Sequence, residues 1–233
     1  RHTRYISVTG VQTCALPIFL IEVALFPIPG MVAFPGTIVP LHVFEPRYRQ
    51  MVTDAVEQNR MIAVCHTKKE IRPAKDGQSM QDALKNNQAT YQPVEVFSAG
   101  ICEIIDTTAD GRVYIHISMS KRLQLVHEVQ TLPYRIVACS ELEDVSQLAS
   151  DDELMEYQKS ITDSIVRMIG KHNPAKLSEF NSDEWLELSP IEFSFKVFQL
   201  VRFDADTMQS ILEATSNLER LKMVASLVHS GEA

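Results

Sequence analysis

FPGTIVPLHVFEPRYRQMV, residues 34–52, is the stretch on which the fold turns. Pro35, Gly36 and Pro40 punctuate a run rich in strand formers, and a second run with a different period begins at Pro46. Proline offers no N–H to a strand ladder, so TIVPLHV (37–43) reads as a strand that bends or lies at a sheet edge. PRYRQMVTDAVEQN (46–59) reads as a helix. Pro46 suits its first position, and Tyr48, Met51, Val52, Ala55 and Val56 fall on one stripe, with Arg47, Arg49, Asp54 and Glu57 facing away. Burying that stripe is worth roughly 1.5–3 kcal/mol per large side chain.

Outward from this stretch, the chain is strand-like to about Asp144. IEVALF (21–26), RMIAVCHT (60–67), VFSAGICEIID (96–106), RVYIHISMS (112–120), RLQLVHEV (122–129) and YRIVACSEL (134–142) are apolar runs bounded by turn formers. Asp110–Gly111 between two of them signals a hairpin. Seven short strands around one helix predict a closed or nearly closed antiparallel barrel. The polar stretch 68–93 reads as a long surface insertion.

Beyond residue 144 the period becomes helical. Leu154, Tyr157, Ile161, Ile165 and Met168 share a face behind Asp151 and Asp152. Ser189 with Glu192, and Ser216 with Glu219, have the spacing of capping boxes, and Asp204 opens a further helix. The expected architecture is α+β: a β part over 19–144, then a helical bundle of about four helices over 145–230.

The chain has 233 residues, 45% hydrophobic and 22% charged, with a formal net charge of −8. That balance argues against a general nucleic-acid or anionic-membrane binder, which needs clustered Lys and Arg. Residues 8–18, VTGVQTCALPI, match the in-frame translation of a common sequencing-library adapter, so residues 1–18 are expected to be foreign to the fold. Without Arg1 and Arg4 the charge is −10, from 20 basic and 30 acidic side chains. Cys14, Cys65, Cys102 and Cys139 show no C-x-x-C spacing, which fits a reduced, cytoplasmic setting. The eight glycines form no phosphate-binding loop and the seven histidines no H-x-x-x-H pair, so no catalytic centre, cofactor or metal site is expected. His42 is expected to be a hydrogen-bonded structural residue.

LFPIPGMVAFPGTIVPLHVFEPRYRQMV resembles the N-terminal substrate-binding (LON) domain of the Lon protease family. The resemblance rests on Leu25–Phe26–Pro27, on Phe34–Pro35–Gly36, and on Pro40–Leu41–His42–Val43–Phe44–Glu45–Pro46–Arg47–Tyr48. Residues 99–126 and 206–224 extend it over about 21–229. Two places depart: Gly30 stands where Asn is usual, and Met119–Ser120–Lys121–Arg122 lacks the usual Gly. The resemblance implies a PUA-like β pseudo-barrel joined to a helical bundle, with Phe44 and Tyr48 aimed at the core and Glu45 and Arg47 placed for an ion pair or cap. It implies no ATPase or Ser–Lys peptidase module within this length.

The function implied is recognition of unfolded or hydrophobic polypeptides, in a chaperone-like or adaptor role in protein quality control. The alternatives are a scaffold with one dedicated partner, an RNA-binding module suggested by the PUA-like barrel but opposed by the net charge of −10, and the substrate-binding part of a longer ATP-dependent protease. The expected partner is an unfolded polypeptide or a single protein, with weak homo-oligomerisation left open, and neither nucleic acid nor membrane. Ile28, Met31, Val32, Phe34 and Met61 are the candidate peptide-binding residues, because a peptide site needs apolar groups at a polar rim. Arg47, Arg49 and Arg60 would supply that rim, or form a solvated helix face.

Overall fold

The computed structural model describes residues 19–73, 89–145, 150–172 and 182–230. The adapter-like residues 1–18 lie outside them, as does the middle of the polar 68–93 stretch. Six strands form one sheet: β1 (Ile21–Pro27), β2 (Ile38–Val43), β3 (Ile62–Cys65), β6 (Val96–Thr107), β7 (Val113–Gln130) and β8 (Arg135–Glu141), in the order β2-β7-β6-β3-β1-β8. β7 pairs with β8 as well, so five strands close into a barrel and β2 remains outside as an edge. Pro40, at the middle of β2, sits where a missing N–H does least harm.

One pairing departs from the antiparallel expectation. β1 runs parallel to β3, from Ala24 opposite Ile62 to Pro27 opposite Cys65. Parallel neighbours need a long crossover, and here β2 and helix α1 (Pro46–Glu57) lie in it. Both faces of β1 and β3 are covered, which explains their unbroken apolar text. Ala24, Phe26, Ile62 and Val64 join the cluster under α1, while Val23, Leu25, Ala63 and Cys65 join a second cluster with Phe97, Leu123 and Cys139. On α1, Tyr48, Met51, Val52 and Ala55 are buried as expected, but Val56 is exposed at the margin of the stripe.

The two runs expected at 112–120 and 122–129 are one strand. Pairing with β6 passes from Gly100–Met119 to Ala99–Lys121, leaving Ser120 as the extra residue of a β-bulge. The strand bends there without ending, so its first half holds β2 and its second half β8. Gly100 is needed opposite the bulge, because a Cβ would lie 1.9 Å from the Ser118 carbonyl oxygen. The ends of the polar stretch are not loop. They form β4 (Thr67–Arg72) and β5 (Thr90–Pro93), a separate two-stranded sheet. β4 is largely exposed, so no alternation betrayed it.

The helices are α2 (Asp151–His172), α3 (Ser182–Leu186), α4 (Pro190–Lys196) with a 3₁₀ turn to Gln199, α5 (Ala205–Glu213) and α6 (Asn217–Ser230). Ser189 and Glu192 close a reciprocal capping box on α4, and Asp204 caps α5 through the Thr207 N–H at 2.9 Å. The Ser216 hydroxyl accepts the Glu219 N–H at 3.1 Å. Helices and barrel share one buried joint: Arg122 of β7 and Arg220 of α6 both grip Asp144, and both guanidinium groups lie over Phe195.

Candidate functional site

β1 ends at Pro27 and the chain turns through Gly30, whose φ of +73° suits glycine. The Gly30 N–H donates to His66 Nδ1 at 3.0 Å, which ties this turn to the end of β3. Gly36, at φ +78°, donates to the Met119 carbonyl at 2.8 Å and starts β2 beside the bulge. The prolines and glycines of the opening stretch thus bring the exit of β1, the end of β2 and the first turn of α1 to one place.

Between them lies an apolar pocket of about 260 Å³. Its walls are Phe26, Pro27 and Ile28 from the β1 exit, Leu41 through Glu45 from the end of β2, Arg47 and Tyr48 from α1, Tyr91 from β5 (Thr90–Pro93) and Ala89 just before it. Phe26 stacks on Tyr48 at 4.2 Å, and the Arg47 guanidinium lies 4.5 Å above the same ring. Burial pushes the Tyr48 hydroxyl up to about 12. Arg47 forms the expected ion pair with Glu45 at 2.9 Å and also donates to the Ala89 carbonyl at 2.7 Å. Phe44 is half-buried: it faces this pocket, where a core position was expected.

His42 stacks on Tyr114 at 4.6 Å, and its Nε2 is buried without a hydrogen-bond partner among the described residues. Its place is kept by ring packing, so the hydrogen-bonded role expected for it is not seen at Nε2. Pro27, Arg47 and Tyr48 also border a neighbouring, more polar hollow of about 580 Å³, with Arg72, Thr90, Glu128, Leu132 and Arg135. Arg135 pairs with Glu128 at 3.2 Å and donates to the Tyr91 carbonyl at 3.2 Å. No group of three or more His, Cys, Asp and Glu side chains among the described residues is arranged to hold a metal.

Three of the five candidate peptide contacts, Met31, Val32 and Phe34, border one hollow, and Ile28 and Met61 lie apart from it. Ile28 lines the apolar pocket. Met31 and Val32 border the shared hollow, of about 280 Å³, against Phe198 and Met208. Met61 is half-buried against the second barrel cluster. Phe34 is 1% exposed and stacks on Phe198 at 3.9 Å. It belongs to the core under the helices and forms part of the floor of that hollow. Arg49 is no free rim either, because its Nη1 donates to the Gly111 carbonyl at 3.1 Å. Tyr91, Arg72, Glu128 and Arg135 were missed: each stands in polar or ordinary strand text with no local pattern to mark it.

The chain matches the family model of the ATP-dependent protease La (LON) substrate-binding domain over residues 22–230. Among curated proteins, Lon protease 1 of Herpetosiphon aurantiacus is 22% identical over 206 residues, which cover 86% of this chain and 23% of that protein. The chain therefore spans about a quarter of the length of that relative. Among solved structures, the N-terminal domain of Mycobacterium avium complex Lon protease superposes with a TM-score of 0.61 at 12% identity, covering 89% of this chain and 98% of that one. The Lon N-terminal domain protein from Xanthomonas campestris gives 0.56 at 19% identity, covering 88% and 97%. At these identities the likeness is one of fold. No described helix is long and apolar enough to cross a membrane.

Proposed function

The chain belongs to the family of LON substrate-binding domains, and on that premise we propose that it binds polypeptide segments by seating an apolar side chain in the pocket between β1, β2, α1 and β5. One observation carries this reading. Two of the three blocks by which the chain resembles its family supply most of the pocket's walls: Phe26 and Pro27 from the first, and Leu41 through Glu45 with Arg47 and Tyr48 from the last. An apolar cavity with a few fixed polar groups at its mouth suits an anchor side chain. The role is recognition without chemistry, as an adaptor or chaperone-like module, and it holds whether the module acts alone or within a longer protease.

Fluorescence anisotropy of labelled, unstructured peptides of graded apolar content tests it. Micromolar binding that rises with apolar content is expected. Phe44→Ala and Leu41→Ala should weaken it by about tenfold or more, the worth of one well-buried side chain. Met61→Ala, outside the pocket, should leave it unchanged. Absence of binding to every peptide would overturn the reading; loss with Met31→Ala and not with Phe44→Ala would move the site to the hollow beside Phe198.

A further inference from the structure

The apolar pocket is the first of three adjoining hollows that together form a groove along β5. It shares Pro27, Arg47 and Tyr48 with the polar hollow beside it, and that hollow shares Leu25, Glu128 and Arg135 with a third of about 390 Å³. The third has an apolar side of Leu25, Ile71, Leu125 and Val137, with Glu95 at its border. β5, with Ala89 just before it, follows the full length: Ala89 and Tyr91 border the first hollow, Thr90 the second, Gln92 and Pro93 the third. The strand is extended, so its four steps from Ala89 to Pro93 cover about 13 Å.

The edge of β5 along this groove is held by side chains. The carbonyls of Ala89 and Tyr91, two residues apart and so on the same edge, accept from Arg47 and Arg135. β4 is the only strand partner of β5 among the described residues. Among the described residues the charges at the middle of the groove do not cancel. Arg47 is matched by Glu45 and Arg135 by Glu128, while Arg72 is exposed and makes no ion pair among the described residues. Glu95 of the third hollow is matched by Lys68 at 2.9 Å, so Arg72 is left as a surplus cation between two hollows that each have an apolar side, and its complement is a carboxylate.

We propose that the groove takes an extended polypeptide segment of the pattern apolar–x–acidic–x–apolar, its carboxylate meeting Arg72 and its two apolar side chains filling the end pockets. This rests on the polypeptide-binding reading above and names the class of segment bound. An extended chain puts residues i, i+2 and i+4 on one side, about 13 Å from first to last, which is the length that β5 spans here. A helix puts residues i and i+2 on different faces and cannot present that triad.

The test uses three labelled peptides of the same length with Ser and Gly flanks: Leu-Ser-Glu-Ser-Leu, its Gln counterpart, and a shuffled form with the leucines adjacent and Glu distant. The patterned peptide should bind about tenfold more tightly than the shuffled one. Glu should outbind Gln by about two- to fivefold, as expected of an exposed pair, and the margin should shrink with salt. Arg72→Glu, at an exposed position, should abolish the preference for Glu over Gln and leave the Gln peptide unaffected. If patterned and shuffled peptides bind equally while Phe44→Ala still weakens both, the pattern is wrong and the apolar-pocket reading stands. An unchanged Glu preference in Arg72→Glu would also overturn the proposal. If no peptide binds, both readings fall.

Discussion

Phe34 shows how one side chain can serve the core from the middle of a linker. Its ring stacks on Phe198 at 3.9 Å and lies 6.5 Å from Phe195, so it joins the segment between β1 and β2 to the helices. Removing a buried phenyl ring costs the transfer free energy and leaves a cavity, together about 3–5 kcal/mol. Phe34→Ala should therefore lower stability in urea by about that amount, while the folded fraction keeps its affinity for peptide. Full stability with lost binding would return Phe34 to the site. Ser98 makes a quieter link nearby, its buried hydroxyl donating to the Ala33 carbonyl at 2.7 Å.

Among the elements, the β6–β7 hairpin carries its own lock. Gly111 takes φ +85°, and the Thr108 N–H donates to the Arg112 carbonyl at 2.9 Å. The Thr108 hydroxyl and the Arg112 guanidinium hold the Asp110 carboxyl down to about 2. A carboxylate whose folded value lies below its unfolded value of about 3.9 contributes stability that is present above pH ~4 and lost as pH falls toward 2. Asp110→Asn should accordingly flatten the acid limb of melting temperature against pH between about 4 and 2. An acid limb identical to that of the parent would show that the turn carboxylate contributes nothing. The side chain is fully exposed, so the effect should be small and reduced by salt.

For the molecule as a whole, Asp144 is the joint. It lies between β8 and α2 and receives Arg122 at 2.6 Å and Arg220, whose side chains are 4% and 0% exposed. Arg122 also donates to the Leu212 and Ala214 carbonyls, and Arg220 to the Ser194 hydroxyl at 3.1 Å. Burial pulls the Arg122 guanidinium down from its ordinary range, with Asp144 opposing. Removing the one carboxylate strands two buried cations, which typically costs about 3–5 kcal/mol. Asp144→Ala should lower the urea midpoint. It should also separate the transition seen by Trp185, the single tryptophan, on α3, from that seen by far-ultraviolet circular dichroism. Coincident transitions at an unchanged midpoint would show that this cluster does not couple helices and barrel.

Read alone, the sequence determined what neighbours along the chain decide. The apolar strand runs, the Asp110–Gly111 turn, the start of α1 at Pro46, the caps at Ser189, Asp204 and Ser216, and the family resemblance all rest on residues a few positions apart. Local sterics and local hydrogen bonds set these features, so they are legible locally. Only the tertiary structure decided that β1 runs parallel to β3, that β7 bends at Ser120 without ending, that β4 and β5 pair, and that Phe34 is core. It alone gathered Arg47, Arg72, Tyr91 and Arg135 around two adjoining hollows. Those outcomes depend on which distant surface covers a side chain and which distant strand takes a backbone edge. Burial and pairing of that kind belong to the packed molecule, where residues far apart in sequence compete for the same space.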